Sequence, residues 1–167
     1  MTFKKEKFIK LLMFIISRSS DNYNVGKTVL SNMLYFIDFN YFETYGESLT
    51  NEIYIKSYLG AVPSHFDEIV RELIYYNKIY RRREPYYYHH INKYYLTSLH
   101  NIDLDYKELI VVGGVLDNLM GFSAVEIVDY ISGDAPFKIA GFDEPLDYSF
   151  VFYRDFDYSV RNLDYYW

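Results

Sequence analysis

The sequence predicts a mainly α-helical α+β domain: a compact multi-helix body carrying one short strand and one β-hairpin. Three observations lead there. Apolar residues recur at helical spacing in several separate stretches. Two stretches open with the i, i+3 pattern of a capping box, Asp105–Glu108 and Ser123–Glu126. Lys78 to Thr97 instead reads as two strand-like runs separated by bends. At 167 residues, half of them apolar, the chain suits one domain over 1–167, with 138–167 as a C-terminal extension.

Taken in order, a first helix is expected from Lys5 to about Arg18, with Phe8, Leu11, Leu12, Ile15 and Ile16 inward. The run Leu11–Ile16 follows Lys4, Lys5, Lys7 and Lys10 as in a signal peptide. It is short for one, is followed by no small-residue cleavage site, and falls far below the ~18 apolar residues of a membrane span. A buried helix is the reading. A second helix runs from about Gly26 to Tyr45 on a stripe of Leu30, Met33, Leu34, Ile37 and Tyr41, and Gly46 sits where a left-handed cap belongs. Asn51–Tyr58 alternates like a short strand. A tight turn at Gly60 then leads to a third helix beginning near Pro63 or Ser64 and stopping at Asn77. In the hairpin, Ile79–Arg83 and Lys93–Thr97 are the strands, with bends at Glu84-Pro85 and Ile91-Asn92. The fourth helix begins at Asp105 and ends at Gly121; the fifth runs from Ser123 to Gly133. Asp147–Asp157 is read as helix.

Composition removes several chemistries. The chain has no cysteine, hence no disulfide, thiolate metal site or cysteine nucleophile, which fits a reducing cytoplasm. There is no G-x-S-x-G elbow. Gly26-Lys27-Thr28 resembles the end of a phosphate loop, but Asp21 stands where its first glycine should be, so a helix start is the better reading. His65, His89, His90 and His100 do not make a ligand set; His89 and His90 are adjacent and would face opposite sides of a strand. No metal, cofactor or catalytic group is expected. Asp38 falls at the edge of the second helix's apolar stripe, where a structural hydrogen bond to backbone or to a tyrosine is the expected role.

The net charge of −6 favours a partner with a basic face. Tyrosine is abundant, at 21 copies, and most of these are read as compositional drift toward AT-rich codons. One concentrated basic patch stands out: Arg81, Arg82 and Arg83, with Tyr86 and Tyr87 close behind. It is the candidate partner-binding site, for a protein ahead of nucleic acid because the whole chain is acidic. A basic, aromatic hairpin acting as a nucleic-acid-binding regulator is the alternative.

Three segments carry a family resemblance. Leu34-Tyr35-Phe36-Ile37-Asp38, ending at Tyr45-Gly46, resembles the leucine-tyrosine helix of the Panacea (SocA-like antitoxin) domain. Tyr58-Leu59-Gly60-Ala61-Val62-Pro63 resembles that family's turn, with alanine in place of its first proline. Later, Pro136-Phe137 stands for a proline-tryptophan pair, and Ser132 stands at the family's histidine position. The resemblance spans about Lys5 to Phe137. It implies a cytoplasmic, often prophage-borne, non-enzymatic antitoxin that neutralises a cognate toxin protein by direct contact. One branch of that family presents its toxin to a ClpXP-type protease, and antitoxins often bind their own promoter DNA, so both stand as further candidate partners; the short apolar run argues for no membrane. On this reading Leu34, Tyr35, Asp38, Tyr58, Gly60, Pro63, Pro136 and Phe137 are structural.

Overall fold

Helix α2 (Lys27–Tyr45) is the axis of the fold. The computed structural model describes residues 1–98 and 101–161. Residues Val29 to Phe39 are buried without interruption, polar Ser31, Asn32 and Asp38 included. The predicted stripe was therefore too narrow: Tyr35, Phe36 and Phe39 are buried as well, as in a helix surrounded on all sides. Its end is as expected, with Gly46 at φ 78° donating its N–H to the Phe42 carbonyl at 2.8 Å.

The other helices pack on it directly or on the elements that touch it. They are α1 (Lys5–Ser19), α3 (Phe66–Tyr75), α4 (Tyr106–Leu119), α5 (Ala124–Ile131), a short α6 (Ala135–Ile139) and a terminal 3-10 helix (Tyr148–Tyr153). Both expected capping boxes are formed. Glu108 N–H donates to Asp105 Oδ1 at 2.9 Å and Asp105 N–H to Glu108 Oε2 at 3.0 Å. Ser123 and Glu126 do the same at α5. Helix α6 was not anticipated, and the expected helix over Asp147–Asp157 is the six-residue 3-10 turn. No single helix among the described residues is long and apolar enough to cross a membrane.

Two antiparallel hairpins complete the fold, and both correct the sequence reading. The single expected strand is a pair, β1 (Tyr54–Ser57) with β2 (Gly60–Pro63). Gly60 sits at φ 85°, and a Cβ there would lie 2.2 Å from Asn32 Oδ1. The Asn32 side chain holds this turn to α2, donating to the Leu59 carbonyl at 3.0 Å and accepting from Ala61 N–H at 3.0 Å. Pro63 therefore closes a strand, and α3 starts only at Phe66. The N-terminus of α3 is capped by a carboxylate from far back: Glu52 Oε2 accepts His65 N–H at 3.0 Å and Oε1 accepts Ser64 Oγ at 2.8 Å.

The second hairpin, β3 (Ile79–Tyr86) with β4 (His89–Leu96), is longer than expected. Glu84-Pro85 and Ile91-Asn92 are ladder residues, pairing Glu84 with Ile91 and Pro85 with His90, and the turn lies on Tyr87-Tyr88. Proline is tolerated in an edge strand when its missing N–H belongs to the open side, which is why Pro85 did not end the ladder. The hairpin is tied to α1 by Lys93, which is 1 % exposed. Its ammonium donates to the Asn22 carbonyl and lies 3.4 Å from those of Ser19 and Ser20, satisfying carbonyls at and just past the end of α1. Burial lowers the pKa of Lys93 against the opposing charges of Glu84 and Asp21.

Candidate partner-binding site

Alternation along β3 separates the three arginines. Arg81 and Arg83 share one face with their partners Tyr94 and Asn92; Arg82 shares the other with Lys93. All three are exposed, and none is ion-paired to a carboxylate among the described residues. Beneath Arg81, Tyr94 is buried and packs edge-on against Phe66 of α3. At the tip, Tyr87 is exposed, whereas Tyr86 is half-buried between Tyr23 and His89. The structure thus presents four of the five candidate residues, Arg81, Arg82, Arg83 and Tyr87, to solvent.

On the Arg82 face, Tyr95 stacks on Tyr80 at 5.2 Å and donates its hydroxyl to Glu84 Oε1 at 2.5 Å. Burial, then this hydrogen bond and the Glu84 charge, push the Tyr95 phenol up to about 12. A phenol whose folded pKa is raised supports the hairpin below the unfolded value of 10 and loses that support as the pH rises toward 12. An ultraviolet phenolate titration of the wild type against Tyr95→Phe is expected to lose one late-titrating tyrosine. A difference only among the tyrosines ionising near pH 10 would contradict the geometry.

The remaining candidates are scaffold parts or lie apart. Gly26-Lys27-Thr28 opens α2, and Lys27 pairs with Asp67 at 2.8 Å. His65 Nδ1 lies 2.7 Å from Glu52 Oε1, with the Phe3 ring stacked on the imidazole at 4.0 Å. His89 and His90 are exposed on opposite faces of β4, and His100 lies outside the described residues. Among the described residues no three metal-ligating side chains converge.

The family-motif residues are mostly interior. Tyr35 OH donates to Asp134 Oδ2 at 2.8 Å. Asp38, fully buried, accepts from Thr50 N–H at 2.9 Å, Thr50 Oγ1 at 2.5 Å, Tyr54 OH at 2.6 Å and Ser48 Oγ at 3.2 Å. The structural hydrogen bond expected of Asp38 is thus present, to backbone and tyrosine alike. Leu34, Pro63, Pro136 and Phe137 are buried. Tyr58 is exposed and stacks on Phe142 at 4.5 Å. Ser132 turns its hydroxyl back to the Asp129 carbonyl.

Sequence reasoning missed a buried ionic cluster. Arg154 holds Asp134 with two parallel bonds of 2.8 Å, from Nε to Oδ1 and from Nη2 to Oδ2. Its Nη1 donates to Glu43 Oε2 at 2.7 Å and to Asn40 Oδ1 at 2.8 Å. The available signal was a lone arginine set in the aromatic run Ser149–Phe156.

A family model described as antitoxin SocA-like, Panacea domain, matches residues 30–136. The chain belongs to that family. Comparisons with curated proteins and with solved structures return no match. The matched Panacea segment contains Tyr35, Asp38, Glu43, Asp134 and the whole arginine hairpin. Arg154, which neutralises two of its buried carboxylates, comes from beyond that segment.

Proposed function

We propose that this Panacea domain neutralises a cognate toxin protein by direct binding, with the β3–β4 hairpin as its contact element. The observation that carries this reading is the arginine triplet: three exposed guanidiniums without carboxylate partners among the described residues, on a chain of net charge −6. Exposed arginines beside exposed tyrosine rings are the residue types that concentrate binding energy at interfaces. Their charge would steer an acidic toxin surface to this one edge of the domain. Presentation of the bound toxin to a ClpXP-type protease is an elaboration of the same role.

The test is co-expression with the product of the neighbouring toxin gene. Arg81→Glu/Arg82→Glu/Arg83→Glu is expected to abolish growth rescue, with an unchanged thermal midpoint because all three side chains are in solvent. Undiminished rescue by the triple variant would move the contact face elsewhere. A mobility shift on the upstream DNA, lost with rising salt and with the same variant, would assign the triplet to nucleic acid instead.

A further inference from the structure

We infer that the segment this hairpin takes is an extended acidic strand, which adds to the open edge of β3. The inference rests on the hairpin being the partner site and goes further by naming the mode of contact.

The fold treats its two sheet edges differently. The outer edge of β1 is covered by residues 143–146 of the chain itself. Lys56 N–H donates to the Glu144 carbonyl at 3.0 Å, and Leu146 N–H donates to that of Tyr54 at 2.8 Å. Among the described residues the sheet of β3 and β4 has only these two strands, and no described segment hydrogen-bonds to the backbone of Tyr80–Tyr86 from outside.

The register says what this edge offers. A two-residue turn at Tyr87-Tyr88 closes on the pair Tyr86–His89, and Thr97 N–H donates to the Lys78 carbonyl at the other end. Hydrogen-bonded and non-bonded pairs alternate along an antiparallel ladder. Tyr80, Arg82 and Glu84 therefore bond to β4, while Arg81 and Arg83 turn N–H and C=O outward. The same two residues carry their guanidiniums on one face. Pro85, next in that series, has no N–H to give and ends the edge.

Backbone and charge together select the occupant. A second copy of β3 would bring arginines against arginines, so the edge refuses self-pairing. An incoming strand of about five residues spans the Arg81–Arg83 edge, and carboxylates two residues apart fall beside both guanidiniums.

The experiment follows amide exchange by nuclear magnetic resonance in the full-length protein. One probe is an eight-residue peptide alternating glutamate with valine or threonine. The other is the same peptide with every backbone nitrogen methylated, of equal length and charge, which has no N–H to give to a ladder. The alternating peptide is expected to slow exchange of the Arg81 and Arg83 amides by about tenfold, and the N-methylated peptide to leave them unchanged. No slowing, or equal slowing by both peptides, overturns the inference. Growth rescue reports on the other reading separately. If Arg81→Glu/Arg83→Glu abolishes rescue but the wild type shows no protection, the strand geometry falls and the hairpin stays. If protection is present but rescue survives the substitutions, the added strand stands and the hairpin's role in neutralisation falls.

Discussion

Arg154→Leu is expected to cost about 3–5 kcal/mol of folding stability, the range for breaking a buried ion pair by removing one partner. Asp134 and Glu43 are almost completely buried and both lean on this guanidinium. Burial alone would lower the arginine's pKa; the Asp134 charge and hydrogen bonds reverse that and hold it above its ordinary value. With leucine in place, Asp134 keeps only the Tyr35 hydroxyl among its side-chain partners in the described residues. Glu43 keeps Arg161 Nε at 3.1 Å and Ser159 Oγ at 2.5 Å. Arg154→Lys preserves the charge and loses the two-pronged hold on Asp134, so an intermediate loss is expected. Urea denaturation measures all of these. The diagnostic comparison is Arg154→Leu/Asp134→Leu/Glu43→Leu, which strands no charge and should recover part of the loss. A single-variant cost below about 1 kcal/mol would show that the cluster does not hold the C-terminal segment down.

Asp38→Leu is the second large effect, expected at roughly 3 kcal/mol or more, since each buried polar group left unpaired costs about 1–3 kcal/mol. The carboxylate gathers Ser48, Thr50 and Tyr54, and thereby joins the loop after α2 and strand β1 to the central helix. Hydroxyls can turn toward other acceptors, but the Thr50 N–H cannot. Asp38→Asn probes the charge. Burial is the largest influence on this carboxyl and raises its pKa above 3.8, against the hydrogen bonds that lower it. The folded state therefore holds the proton more tightly than the unfolded one. The wild type should lose stability relative to Asp38→Asn as pH rises from about 4 through the raised pKa. Denaturation at a series of pH values checks this, and an advantage of the wild type that grows over that range would contradict the burial.

The outcomes at particular residues show what kind of information each level holds. Asp105–Glu108, Ser123–Glu126 and Gly46 were legible because a cap is made within a few residues of itself. The hairpin was recognised, but its length was not. Pro85 looks like a bend until the ladder shows that its missing N–H faces the open side. Of the candidate site, the basic run was plain in the sequence; that Arg81 and Arg83 share one face and Arg82 the other depends on a register set by the turn.

By itself, the sequence determined the helical frame, its ends, the family and the presence of a basic patch on an acidic chain. These follow from local periodicity, local caps and composition. Only the tertiary structure decided which charges are buried and what holds them: Arg154 with Asp134 and Glu43, Glu52 at the start of α3, Lys93 at and just past the end of α1. Their partners lie from about ten to more than a hundred positions away. A charge can enter the interior only where the fold brings an opposite charge or a set of carbonyls to it, and no local pattern records that meeting.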